Sequence, residues 1–337
     1  MLMRSQAAAQ AIKGIIKRGG VTVSLLAVAF AGPAAAVSWP ERPVTIIVPF
    51  SAGGATDIVA RQLSYALSKK WGQSVVVENK TGAGGNIGTG LVASAKPDGY
   101  TLLMASGANL TVNPHLYNNL AFNVETDFAP ITNVAVGPMV VAVSESVKSA
   151  DLAEFIQSAK ADPGKYTIGS AGVGSQGHLA GENFQYAADI ELSHIPYRGE
   201  SAAFADLMAG QIDAVVGNIG AAFSPLSSRR IRILAVASDE PTDMLPDVPT
   251  AKQFGVDGFV NYGWFGLLAP AGTDAAIVDK VRTHVEEVLV EEENSKKLAE
   301  LGMWGLANSP AEFKEQITRE SAQWKQVIQE RNITINN

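Results

Sequence analysis

Short apolar, β-branched runs alternate with helical patterns along this chain, and four of the runs break straight into glycine-rich loops that open the next helix. That alternation is the signature of a mostly parallel α/β sheet. Val44-Thr-Ile-Ile-Val-Pro49 is apolar on both faces and reads as a buried strand. Ile58, Val59, Leu63, Ala66 and Leu67 then recur at helical spacing. Val75–Glu78 and Tyr100–Ala105 continue this first set, and Met139–Ser144 reads as a strand leaving it. After the turn Asp162-Pro-Gly-Lys165 a second set begins, with strands at Tyr166–Ser170, Ile190–Pro196, Asp213–Val216 and Ile231–Ala237. Pro241–Pro249 reads as a loop, Trp264–Ala269 as a strand, and 274–292 and 309–330 as amphipathic helices. Those helices have too little sheet to form a third domain, so they are expected to fold back onto the first lobe. The layout is then a hinged α/β clamshell with at least two crossing strands and a ligand between the lobes. Lobe 1 would comprise 37–138 and 262–337, and lobe 2 would comprise 139–261. A single continuous sheet is the competing architecture.

Composition removes several classes of function. The 337 residues contain no cysteine, which excludes disulfides, thiolate metal sites and cysteine nucleophiles. A net charge of −7 argues against a nucleic-acid partner, which needs clustered Lys and Arg. His115, His178, His194 and His284 lie far apart and show no HExxH spacing, so a zinc enzyme is not expected. Residues 1–36 contain no acid: Arg4, Lys13, Lys17 and Arg18 precede the apolar stretch Val21–Ala31, then Gly32, Pro33 and three alanines. This is the pattern of an export signal cleaved after Ala36. The apolar stretch is short for a bilayer, which needs about 20 such residues. An N-terminal membrane anchor is the alternative. Removal of 1–36 would leave 301 residues at a net charge of −11. Export without disulfides points to the bacterial periplasm.

The four loops are Pro49–Asp57, Asn79–Gly88, Ser106–Asn109 and Gly169–His178. Glycine lets backbone approach a ligand, and a helix N-terminus presents unpaired N–H groups with a partial positive charge. Ser51, Thr56, Asn86, Ser106, Asn109 and Ser175 add neutral hydrogen-bonding groups. In α/β sheets such loops gather at the carboxyl ends of the strands, where ligands bind. The expectation is an anion site built mainly from backbone dipoles, suited to a carboxylate. Each loop alone could equally be a tight turn. No GxxxxGK[ST] occurs, the second loop fails GxGxxG because residue 87 is Ile, and no cofactor is expected.

A serine hydrolase or isomerase is the enzymatic alternative, with Ser175 served by His178 or His194. Val173-Gly-Ser-Gln-Gly177 is not GxSxG, and no ordered acid–His–Ser set stands out, so catalysis is not expected. Arg198 could pair with a second ligand carboxylate or be a solvated loop residue. Phe50 and Tyr197 could wall an apolar ligand body or belong to the core. Asp57 reads as a first-turn residue stabilising its own helix, its carboxylate facing away from the ligand. Asn218 follows a strand and could serve the cleft or cap a helix.

Several motifs run in order from residue 39 to residue 250. They are Trp39-Pro-Glu-Arg-Pro43, Val48–Asp57 with Ala60-Arg61, Val77–Gly88 and Pro97–Leu103. Gly174–Leu179, Pro196-Tyr-Arg-Gly199, Gly210-Gln-Ile-Asp213 and Leu245–Thr250 complete the set. In these motifs the chain resembles the substrate-binding proteins of tripartite tricarboxylate transporters, the Bug family of periplasmic receptors. The resemblance implies a non-enzymatic clamshell of the type II periplasmic-binding-protein kind. It implies a small carboxylate ligand (a di- or tricarboxylate, an amino acid or an aromatic acid) handed to membrane permease subunits. A ligand-presenting role toward a sensor kinase would need the same closure. It further implies that Phe50, Ser51, Ala52, Gly53, Gly54, Thr56 and Asp57 hold one carboxylate, often with ordered water. Asn86, Ser106, Ser175, His178, Tyr197 and Asn218 would line the opposing walls. Three positions depart from the family pattern: Arg198 replaces a usual Lys, Ser51 a frequent Pro, and Gly217 an Asp.

Overall fold

The computed structural model describes residues 39–330 together with Ile333 and Thr334. The export signal expected at 1–36 lies outside the described residues. The strands are β1 (Val44–Val48), β2 (Val75–Asn79), β3 (Thr101–Ser106), β4 (Phe128–Ser144), β5 (Thr167–Ser170), β6 (Ser193–Pro196), β7 (Ala214–Asn218), β8 (Ile231–Val236), β9 (Tyr262–Pro270) and β10 (Trp304–Gly305). The helices are α1 (Ala55–Trp71), α2 (Asn86–Ala93), α3 (Gly107–Thr111), α4 (Asn113–Leu116), α5 (Leu152–Ala161), α6 (Gln176–Ala188), α7 (Glu200–Met208), α8 (Ile219–Ser227), α9 (Ala275–Leu289), α10 (Glu292–Glu300) and α11 (Pro310–Glu330). Among the described residues no helix is long and apolar enough to cross a membrane.

The hydrogen-bonded strand path is continuous, in the order β2-β1-β3-β9-β4-β7-β5-β6, but it changes character halfway along β4. The first part of that 17-residue strand runs antiparallel to β9, from Phe128 opposite Pro270 to Pro138 opposite Tyr262, with β10 on its other side. The second part pairs with β7 (Met139 opposite Asn218 through Val143 opposite Ala214) and with β8. The exchange of partners falls at Gly137-Pro138-Met139. Proline has no N–H to give a ladder, and Met139 N–H resumes donation to Asn261 O at 3.0 Å. Gly137 is required because Gly302 O and Met303 pack where its side chain would be, the nearest at 2.5 Å. β1, β2 and β3 are parallel neighbours in one half, and β5, β6 and β7 in the other. The competing single-sheet layout is thus realised only as a shared strand joining two sheet halves.

Burial explains why these runs become strands. Successive side chains of a strand face opposite sides, and both sides of β4 are covered. Val140 and Ala142 join an apolar cluster with Ile46, Leu63, Phe204, Ile219 and Leu267. Met139, Val141 and Val143 join another with Phe155, Ile168, Phe184 and Phe259. α1 buries Val59, Leu63, Ala66 and Leu67 on one stripe and stops at Gly72, whose φ of 62° is the left-handed conformation that ends helices. The C-terminal helices return to the first sheet half. Trp71 Nε1 on α1 donates to His284 Nδ1 on α9 at 2.7 Å. Phe313 on α11 packs edge-on against Trp264, with ring centroids 5.5 Å apart.

Some boundaries differ from the sequence reading. β4 begins at Phe128 and not at Met139, because bulges after Pro130 and Asn133 absorb residues that read as strand breakers. The strand expected over Ile190–Pro196 is only Ser193–Pro196, since Ile190 N–H still donates to Gln185 O at the end of α6. The helix expected over 274–292 ends at Leu289, and α10 follows as a separate helix.

Phe313 is fully buried against Trp264 and over Gly266, where a side chain would collide with its ring. Phe313→Ala is expected to cost about 3–5 kcal/mol of stability, read by denaturant unfolding; a loss under about 1 kcal/mol would show that α11 is not part of the core.

Candidate functional site

The ends of several helices meet at one cleft. Its walls are Phe50, Gly54, Ala55, Thr56, Ser106 and Phe265 from one half, and Ala171, Ser175, Gln176, Gly177, Glu200 and Asn218 from the other. Gly54 is the N-cap of α1 and supplies no side-chain cap, so the first N–H groups of that helix are left for other partners. Ser175 caps α6, accepting from His178 N–H at 3.3 Å. Asn218 holds the N-cap position of α8 without capping it. Ser106 Oγ and its backbone N–H both donate to Asn109 Oδ1 at 3.1 Å. Three N-termini of helices eight residues or longer thus present positive dipole ends to one space.

The cleft is nearly shut, with room for about one water molecule. Hydrogen bonds between the halves hold it so. Ser51 Oγ lies 2.8 Å from Ser201 Oγ, which donates to Ala52 O at 2.9 Å. Tyr117 OH donates to Val173 O at 2.7 Å, and Gln176 Nε2 to Trp264 O at 3.2 Å. Any organic ligand larger than water requires these contacts to part.

Of the residues expected from sequence, Phe50, Gly54, Thr56, Ser106, Ser175 and Asn218 line the cleft together. Ser51 and Ala52 stand at its rim in the Ser201 contacts. Gly53 N–H donates to Asp57 Oδ2 at 2.9 Å, so one loop donor is already committed. The Asp57 carboxylate turns away from the cleft toward Arg61 (2.8 Å) and Asn79 (2.8 Å). Burial alone would raise its pKa, but the bonds from Arg61, Gly53 and Asn79 outweigh burial and hold it below the usual carboxylate range. Asn86 is buried outside the lining, its Oδ1 accepting from Asn113 Nδ2 at 2.6 Å. Tyr197 OH donates to Asp206 Oδ2 at 2.8 Å, and Arg198 is exposed.

His178 lies behind the loop and not on the lining. Its Nδ1 accepts Gly174 N–H at 3.2 Å, which places the ring proton on Nε2 and pins the glycine turn. Burial and the neighbouring His194 ring, centroid to centroid 4.3 Å, lower its pKa to about 3. Burial lowers His194 to about 4, and its Nε2 sits 2.7 Å from Ser170 Oγ. Neither histidine faces Ser175 Oγ with a ring nitrogen, so the geometry gives no nucleophile–base pair in the cleft.

Six lining residues were not among the expected ones: Ala55, Ala171, Gln176, Gly177, Phe265 and Glu200, of which only Glu200, the first residue of α7, carries a charge. That residue is half-buried. It accepts Asn218 N–H at 2.7 Å, Asn218 Nδ2 at 3.1 Å and Ala55 N–H at 3.4 Å. Burial pushes its pKa up against the pull of those donors. An acid in the first turn of a helix has an ordinary local explanation, so its type and spacing gave no signal.

Residues 59–333 match the family described as tripartite tricarboxylate transporter family receptor. Protein BugT of Bordetella pertussis is 35% identical over 301 residues, covering 89% of this chain and 92% of that one. The R. palustris protein Rpa4515, solved with adipate, is 32% identical with a TM-score of 0.85, over 88% of this chain and 99% of that chain. MatC from Rhodopseudomonas palustris, solved with bound malate, is 29% identical with a TM-score of 0.82, over 86% and 100%. These similarities identify the architecture as the two-lobed α/β clamshell of solute-binding proteins.

The histidine pair makes stability fall with acid. Both folded-state pKa values lie below the ordinary 6.5, so the unfolded chain binds more protons in the window between them. That stabilisation is complete above about pH 6.5 and is lost as pH falls toward about 4 and below. The raised pKa values of Glu200 and Glu320 act in the opposite sense, favouring the fold at low pH. His194→Gln removes one titrating ring while keeping a partner for Ser170, and is expected to flatten the fall in melting temperature between pH 7 and 4. An unchanged slope would show that the pair is not buried neutral.

Proposed function

Given that the chain belongs to the tripartite tricarboxylate transporter receptor family, we propose that it is a periplasmic solute-binding receptor. It captures a small organic carboxylate between its lobes and delivers it to membrane permease subunits. The observation that carries this reading is the convergence of the α1, α6 and α8 N-termini on one inter-half cleft. Backbone N–H groups at helix ends recognise carboxylates without a resident cation, which reconciles an acidic chain with an acidic ligand. The adipate and malate bound by the two Rhodopseudomonas proteins are ligands of that chemistry. The export pattern at 1–36 supports the periplasm.

In this reading the lobes divide at 138/139 and 261/262, where β4 changes partners and β9 begins. The Ser51–Ser201, Tyr117–Val173 and Gln176–Trp264 bonds form on closing and break on opening. Closure is a rigid rotation about the crossing strands. Phe50, Ser106, Thr56 and the α1 N-terminus form one jaw, and Ser175, Gln176 and Asn218 the other. Asp57 acts on the loop backbone and not on the ligand, while His178 sets the Gly174 turn.

A thermal-shift screen over mono-, di- and tricarboxylates, amino acids included, tests the reading. A ligand at about 100 times its dissociation constant should add about 2.7 kcal/mol of stability. No shift with any organic acid would overturn it. Thr56→Val removes a cleft hydroxyl at constant shape and is expected to weaken the bound acid about two- to tenfold. Its melting temperature without ligand should not change; an unaffected affinity would place the carboxylate elsewhere.

A further inference from the structure

Glu200 contradicts a simple anion site. Its carboxylate lies between the N-termini of α1 and α8, accepting N–H groups from Ala55 and Asn218. Part of the positive potential of the cleft is therefore already answered by an anion of the protein itself. No lysine or arginine among the described residues forms an ion pair with it. Gly217 makes the arrangement possible, since a side chain there would come within 2.6 Å of Glu200 Oε1.

Asn218 adds a second acceptor. Its Nδ2 faces both Glu200 oxygens, at 3.1 and 3.3 Å. The opposite amide orientation would set oxygen against carboxylate, so the assignment is fixed by the network. That leaves Asn218 Oδ1, in a residue only 4% exposed, without a hydrogen-bond partner. A buried acceptor of this kind is costly unless something donates to it. Oδ1 lies over Gly263, in space that any other residue at 263 would fill. The second half thus presents the Glu200 carboxylate to the cleft, while the unused Asn218 oxygen packs over Gly263. The opposite wall keeps the Thr56 hydroxyl and the other first-turn N–H groups of α1.

Resting on the carboxylate-receptor reading, we propose that Glu200 is a specificity-determining residue that selects a ligand carrying an ammonium group beside its carboxylate. The ammonium pairs with Glu200, while the ligand carboxylate takes the α1 N-terminus and Thr56. A second carboxylate in the ammonium's place would meet Glu200 as a like charge.

Two pairs of five-carbon probes isolate the ammonium: pentanoate against norvaline, and glutarate against glutamate. By titration calorimetry on the full-length protein after its N-terminal processing, adding the ammonium should tighten wild-type binding at least about tenfold in either pair. In Glu200→Gln, which keeps the size and an acceptor oxygen, that gain should fall below about twofold. Glutarate binding to the wild type as tightly as glutamate would overturn the proposal, as would an undiminished gain in Glu200→Gln. The wild-type comparison stands alone if the variant does not fold. Failure of every organic acid in the thermal-shift screen would instead overturn the receptor reading, and this proposal with it.

Discussion

The structure depends on one strand being shared. β4 is long enough to serve two sheet halves, and both its faces are covered along the second half by separate apolar clusters. A proline at 138 interrupts its ladder where the partners change from β9 to β7 and β8. Because the parallel strands of each half end toward this exchange point, the loops that follow them are brought face to face. The cleft is a consequence of that topology, as ligand crevices at the carboxyl ends of α/β strands generally are.

Within the cleft, fixed dipoles and one carboxylate set the chemistry. Helix N-termini create local positive potential that a distant net charge of −7 does not cancel, since exposed charges are screened over about 10 Å. Asp57 spends its charge on shaping the first loop, where it ties Gly53 N–H, Arg61 and Asn79 together. Glu200 spends its charge inside. The two acids stand at nearly equivalent places, the first turns of α1 and α7, and their pKa values move in opposite directions. Burial raises both; the Arg61 guanidinium and two further donors outweigh it at Asp57, whereas the neutral donors at Glu200 do not.

Much of this was legible from sequence because the governing signals are local. The apolar runs Val44–Pro49, Tyr100–Ala105 and Trp264–Ala269 announced strands. The glycine-rich loops pointed to Gly54, Thr56, Ser106 and Ser175, whereas Phe50 and Asn218 had equally good local explanations and entered the site only through the family resemblance. What was not legible depended on tertiary context. The stretch 128–138 was not read as strand: Pro130, Asn133, Gly137 and Pro138 are poor strand formers, and only bulges and a change of partners carry β4 through them. His178 sits in a loop motif, but the Gly174 N–H turns its ring behind the wall. Glu200 reads as an ordinary first-turn acid, and only the space left by Gly217 lets it enter the cleft.

The central claim is that a small organic acid is gripped between the two halves by helix N-termini. Hydrogen-exchange mass spectrometry, with and without the tightest acid found, tests it most directly. The account predicts slowed exchange confined to the segments 54–58, 175–179 and 218–221, on both sides of the cleft at once. Protection limited to one half, or located on outer helices such as α5 and α10, would contradict it.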